Sequence, residues 1–184
     1  MSTNRIVTPK ATLSFPHLFT PQAAMQGGIP KYSASLVFDS TADLTALKEA
    51  ATKAVIEKWP DLKTRPKNLR TPFRDGAEKE LEGYGAGKVF INITSKNKPL
   101  VVDADCQPII DAEQVYPGCV VRASVTVFTY SNTGNNGVSF GLSMIQKIGD
   151  GKPLGGAGYG NPEEVFGKVA QSAPTPAQAN TSLF

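Results

Sequence analysis

Metal and redox chemistry have little to work with in this chain. Its 184 residues include two cysteines, Cys106 and Cys119, and one histidine, His17. The cysteines lack CxxC spacing, so the pattern offers no zinc site. No signal-peptide segment and no apolar run long enough to span a bilayer occur, which predicts a soluble cytosolic protein with free thiols and no membrane partner. The formal net charge is only +3, too small to mark a polyanion binder by bulk charge. Phosphate-loop chemistry fails as well. GYGAGK would need glycine at Glu82 and Ser or Thr at Val89 to read GxxxxGK[ST]. Asp103, Asp105 and Asp111 are the carboxylate group suited to metal-assisted hydrolysis, but no lysine or histidine stands at nuclease-like spacing, and turn roles beside Pro108 account for them. Neither catalysis, a metal nor a cofactor is expected.

The length suits one domain with a flexible appendage. Asn4 to Phe15 alternates loosely and predicts a first strand, with a loop punctuated by Pro16, Pro21, Gly27, Gly28 and Pro30 after it. Lys31 to Phe38 predicts a second strand. The one clear helix follows, with Ser40 and Asp43 resembling a capping box, an inward stripe of Leu44, Leu47, Ala51, Val55 and Trp59, and a stop at Pro60. Lys88 to Ser95 and Leu100 to Asp103 read as further strands. Cys119 to Tyr130 reads as the longest, joined through SNTGNNG to a partner over Val138 to Ile148. The resulting fold class is mainly β: an open Greek-key barrel of the OB type, with five to six antiparallel strands and one inserted helix. A β-sandwich fits the strand count almost as well. Residues 1–155 form the domain. Residues 156–184 are too poor in apolar residues to order themselves and predict a disordered Gly/Pro/Ala-rich tail.

Charge is unevenly placed. Residues 1–155 carry 18 Lys and Arg against 14 Asp and Glu. The excess is densest in KTRPKNLRTPFR, which holds Lys63, Arg65, Lys67, Arg70 and Arg74 and no carboxylate, with Pro66 and Pro72 limiting the loop's freedom. An acidic patch follows, then the strand that delivers Lys96 and Lys98. Lys88, Asn92, Lys96 and Lys98 form a candidate stripe along a groove. Tyr32, Phe73, Phe90 and Tyr130 are candidate ring platforms, with Phe90 the weakest because a mid-strand phenylalanine often faces the core. Phe15, Phe38, Phe128 and Phe140 read as core, and His17 as a loop residue. A polymer of phosphates and flat bases needs this mixture, cations for the one and rings for the other; a stacked base is worth about 1–3 kcal/mol. A solvated basic loop is the bland alternative.

The blocks FPHLFTP, GGIPKYSASLVF, LRTPFRDG, VFINITSKNKPLVVD, YPGCVVRASVTVF and GVSFGLSMIQKIGDGKPLGG, in that order from Arg5 to Gly156, resemble a phage-encoded family. Its members were first catalogued as a domain of unknown function and later grouped with the OB-fold single-stranded DNA-binding proteins of tailed phages. The resemblance implies an OB-fold, single-stranded DNA binding with little sequence preference, and a role in phage replication, recombination or repair inside the infected bacterial cell. The roles of Lys31, Tyr32, Arg70, Arg74, Asn92, Lys96 and Lys98 rest on their chemistry alone. Many proteins of this kind end in an acidic tail tipped by an aromatic residue that recruits replication enzymes. This tail ends in Leu183-Phe184 without an acid after Glu164. Phe184 is therefore a candidate contact for phage or host replication proteins, and a homodimer is a further possibility. The rival reading is a phage structural or head-associated β-sandwich whose basic loop touches DNA or a protein partner.

Overall fold

The structure, a computed structural model, describes residues 5–23, 27–154 and 167. Five strands close into a ring: β2 (Ala11–Gln22), β3 (Lys31–Phe38), β6 (Val89–Ser95), β9 (Asn135–Gly149) and β8 (Val120–Asn132). β2–β3, β3–β6, β8–β9 and β2–β8 run antiparallel, while β6–β9 is parallel, with Ile93 opposite Phe140. Closure settles the choice between barrel and sandwich in favour of the barrel. Four short strands decorate the ring: β1 (Arg5–Val7), β4 (Leu69–Arg70), β5 (Arg74–Asp75) and β7 (Leu100–Val102). Three of the sheet's pairings are parallel, all onto β9. The expectation of a purely antiparallel sheet is corrected there. β9, at 15 residues, is also longer than β8, at 13, and so reaches β4, β6 and β7 along one edge.

The inner face follows the alternation of the strands. Leu13, Leu36, Phe38, Ile91, Ile93, Val121, Val125, Phe140 and Ile145 are fully buried in one cluster. Each such side chain contributes about 1.5–3 kcal/mol by leaving water. Helix α1 (Thr45–Lys58) adds Leu47 and Ala51 to the same core, with Val55 half-buried beside them, and packs on β8 and β9. Its start differs from the expected capping box. Asp43 Oδ1 accepts from the Thr45 N–H at 3.0 Å, and no side chain caps from Leu44, the N-cap position. The carboxylate bonds a group two residues on, which leaves Ser40 out of the cap.

The first predicted strand splits. β1 ends at Val7, where Thr8 turns its hydroxyl to the Ala123 N–H at 2.9 Å, and β2 begins at Ala11. β2 then continues through Pro16 and Pro21, where a loop was expected. Beyond Thr12 it pairs only with β3, and its register shifts twice, around Phe15 and again before Gln22. Proline lacks a donor, so it is tolerated on an edge with bulges. The β8–β9 hairpin turns at Thr133 and Gly134, where Gly134 takes φ +79°. The expectations for residues 156–184, including the disordered tail and Phe184, lie outside the described residues apart from Gly167.

Candidate nucleic-acid interface

Facing pairs across the barrel place one set of side chains on its outer surface. Ser35 lies opposite Asn92, Ser33 opposite Thr94, Thr126 opposite Gly141, Phe128 opposite Ser139 and Tyr130 opposite Gly137. Most of these are small. Gly137 and Gly141 contribute nothing above the sheet, and both are required to be bare. A Cβ at Gly137 would lie 2.6 Å from the Tyr130 hydroxyl and 2.7 Å from the Arg70 carbonyl oxygen; at Gly141 it would lie 2.6 Å from Thr126 Oγ1. The result is a flat, polar floor of Ser, Thr, Asn and Gly with rings rising from it.

A groove of about 540 Å³ crosses this floor, lined by Arg70, Phe73, Arg74, Glu78, Asn92, Tyr130 and Ser139 among others. β4 delivers Arg70 by pairing with β9 beside Gly137, and β5 delivers Arg74 by pairing opposite Phe90. Phe73 is half-buried, its ring edge-on to Phe140 at 5.7 Å, which fixes it as a wall. Asn92 Oδ1 accepts from the Ser35 hydroxyl at 2.7 Å, so its amide nitrogen keeps both hydrogens for the groove. Asn92 also lines a second depression of about 280 Å³ with Phe15, His17, Ser33 and Lys79. Phe15 in turn lines a third with Tyr84 and Leu81. Shared residues thus join three depressions into one path over the outer face. Its two carboxylates are both engaged, Glu78 with Arg74 at 2.8 Å and Glu82 with Lys152 at 2.6 Å.

Lys79 is the group the sequence reading missed. Its ammonium lies 4.9 Å from the Phe90 ring centre, 5.0 Å from that of Phe15 and 5.3 Å from that of Tyr84. These distances suit cation–π attraction. Partial burial, and then the nearby Arg74 guanidinium, lower its pKa from the ordinary lysine value. Lys79 is a lone cation between Glu78 and Glu80, which hides it in a charge count. Phe15 and Phe128 were expected in the core, yet they are 49% and 43% exposed. For Phe128 the signal was present: in VTVFTY, Val125 is buried and Val127 packs on the core, so Thr126, Phe128 and Tyr130 face outward. For Phe15 no alternation helps, because the bulge ahead of Pro16 puts its backbone at φ +45°. His17, read as a loop residue, stands in β2 opposite Ser33.

Of the expected site residues, the groove brings together Arg70, Phe73, Arg74, Asn92 and Tyr130. Lys31 opens β3 opposite Gln22, in step with Ser33 and Ser35 on the outer face. The rest are placed elsewhere. Tyr32 is half-buried and faces the other side of β3, opposite Ser95. Phe90 does lie on the outer face, but with 0% exposure: Arg74, Lys79 and Tyr84 cover its ring, so it offers no surface for stacking. Arg65 donates to the Trp59 carbonyl at 3.1 Å and ties the loop to the end of α1. Lys63 and Lys67 are exposed in that same loop and do not line the groove. Lys88 donates to the Gly83 carbonyl at 3.2 Å and pairs with Asp39 at 3.7 Å. Lys96 and Lys98 fall in a bend, where Ser95 Oγ accepts from the Asn97 N–H, and the Lys98 ammonium rests 5.8 Å from the Phe19 ring centre. The single stripe from Lys88 to Lys98 therefore does not form, because the chain turns instead of staying extended. Asp103 and Asp111 accept backbone N–H bonds in turns, and no metal-holding cluster occurs among the described residues.

Comparison with known proteins adds a family. The model of the Enterobacter phage Enc34 ssDNA-binding protein family matches residues 4–175. The chain belongs to that family. It is 36% identical over 162 residues to protein p50 of Acyrthosiphon pisum secondary endosymbiont phage 1, covering 83% of this chain and 87% of the relative. Among solved structures it resembles the single-stranded DNA-binding protein from bacteriophage Enc34 in complex with ssDNA, with TM-score 0.70, 21% identity, and 84% and 91% of the two chains covered. It also resembles gp2.5, a single-stranded DNA binding protein encoded by bacteriophage T7, with TM-score 0.61, 15% identity, and 88% and 100% covered. At these identities the structural likeness speaks to the fold, and it agrees with the OB-type barrel read from the strand pairing. No described helix is long and apolar enough to cross a membrane.

Proposed function

We propose that this chain binds single-stranded DNA along the outer face of the barrel without regard to sequence, and that it coats and protects such strands during phage replication, recombination or repair in the cytoplasm of the infected bacterium. One observation carries the reading: three depressions that share Asn92 and Phe15 form a path lined by Arg70, Arg74 and Lys79 together with Phe15, Phe73 and Tyr130, and the exposed Phe128 stands opposite Ser139 at its border. Membership of an ssDNA-binding family supports it.

The chemistry is divided between two kinds of side chain. Arginine and lysine neutralise phosphates and release counterions, which gives affinity without reading letters. Exposed rings stack on any base, since every base has a π-face. The bare positions 137 and 141 let Tyr130, β4 and Thr126 lie close over the sheet, which sets the height of the groove's floor. No covalent step is involved, and the protein acts without catalysis.

Fluorescence anisotropy with labelled single- and double-stranded oligonucleotides at several ionic strengths tests this. Affinity for single strands is expected to fall with salt at a log–log slope of about −0.7 per neutralised phosphate. Replacing Arg70 and Arg74 together with alanine should make that slope shallower by about 1.4 if each meets one phosphate. Salt-independent binding, or equal affinity for duplex, refutes the proposal.

A further inference from the structure

A second cavity borders the groove and has no role in the reading above. It is an apolar slot of about 460 Å³ between α1 and the segment 69–73. Ala51 and Val55 form one wall, and Pro72 and Phe73 the other, with Lys48 and Arg70 also lining it and no carboxylate among its lining residues. The slot and the groove adjoin, because the segment 69–73 and Val138 line both. Both of the slot's hydroxyls bond to backbone: Thr52 donates to the Lys48 carbonyl at 2.8 Å, and Thr71 Oγ1 accepts from the Phe73 N–H at 3.2 Å.

We propose that this slot takes one nucleobase of the bound strand, with Lys48 and Arg70 meeting the phosphates on either side. The inference rests on the single-stranded DNA reading and extends its footprint onto the helix. Three features point to this occupant. The walls are apolar and suit the faces of a base, while the cations suit the anions that flank it. Thr52 spends its hydroxyl hydrogen on the Lys48 carbonyl, and the facing walls are apolar, so the slot holds a base chiefly by its faces and is indifferent to its identity. Because the slot adjoins the groove across the segment 69–73, which holds no carboxylate, a strand leaving Tyr130 and Phe73 reaches the slot without crossing an acidic barrier. Phe73, braced edge-on against Phe140, serves as the wall shared by both compartments.

The test uses the full-length chain and oligothymidylates lengthened one nucleotide at a time. Lys48→Ala and Thr52→Glu alter exposed helix positions, so the fold is retained, which circular dichroism verifies. Affinity of the parent protein should climb with length, and the step gained when the strand reaches the slot should be lost in both variants. That loss is about fivefold to a hundredfold, as for one stacked base. Lys48→Ala should also make the salt slope for long oligonucleotides shallower by about 0.7. Oligonucleotides carrying 5-iodouracil should cross-link to peptides of α1 or to Phe73. If both variants bind every length as the parent does, with unchanged slope, the slot takes no DNA. If Thr52→Glu tightens binding and the helix cross-link is absent, the slot belongs to a competing segment of the chain, and the proposal is overturned. A parent that does not prefer single strands defeats the underlying reading instead, and that outcome is distinct from either of these.

Discussion

Gly137 is the position where one added methyl group should do most damage to the interface. Its backbone φ is not in the positive region, so alanine meets no conformational penalty there and the effect is steric alone. The new Cβ would lie 2.6 Å from the Tyr130 hydroxyl and 2.7 Å from the Arg70 carbonyl oxygen. The Tyr130 side chain can swing, but the Arg70 oxygen belongs to backbone, so β4 must move off β9. Forcing extra volume into a packed site typically costs about 1–3 kcal/mol. For a domain of this size, each kcal/mol lowers the melting temperature by about 2–4 °C. Gly137→Ala should therefore melt about 2–12 °C below the parent by calorimetry. It should also bind single-stranded DNA more weakly than the lost stability accounts for, because it displaces a ring and an arginine from one groove. Losing the Tyr130 stack alone corresponds to about a fivefold to hundredfold drop in affinity. Gly149→Ala is the control, since its Cβ would find its nearest neighbour at 3.9 Å. It should match the parent in both measurements. A Gly137→Ala protein that melts and binds like the parent would refute the placement of β4 and Tyr130 over a bare position.

Two other predictions concern titration and accessibility. Lys79 has a pKa lowered by burial and by Arg74, so it loses its proton, and its attraction for phosphate, at a lower pH than an ordinary lysine. DNA affinity measured against rising pH should begin to fall at a lower pH in the parent than in Lys79→Arg, which stays charged; identical profiles would remove Lys79 from the interface. Cys119 is buried and its thiol is pushed up by that burial, whereas Cys106 is exposed. A chromogenic disulfide reagent should titrate one thiol in the native protein and two in denaturant; two fast thiols in the native state would contradict the packing of β8 against β2.

Local elements were legible wherever a short-range pattern met no competing demand. β3 occupies the predicted Lys31–Phe38, and the helix, β6 and the β8–β9 hairpin fall within a few residues of their patterns. β2 was misread because proline signals a break only when its missing donor matters, and on an edge strand it does not. The aromatic and basic residues sorted less well. Composition cannot distinguish an arginine that braces a helix end, as Arg65 does, from one that lines a groove, as Arg70 does, although both belong to the same basic loop.

The chain by itself established a mostly β architecture with one helix, a locally basic body, and a mixture of rings and cations suited to a polymer of bases and phosphates. Periodicity and charge are properties of neighbours in sequence, so these survive without coordinates. Tertiary structure decided which of those groups share a surface. The bulge at Phe15 and the parallel approach of β4, β6 and β7 to β9 depend on strands far apart in sequence. Barrel closure put Phe15, Lys79 and Phe128 outside, covered Phe90, and turned Lys88 and Lys98 to local partners. Side-chain direction in a strand flips with every residue, so a single register shift reassigns a residue from core to interface, and only the closed ring fixes that register.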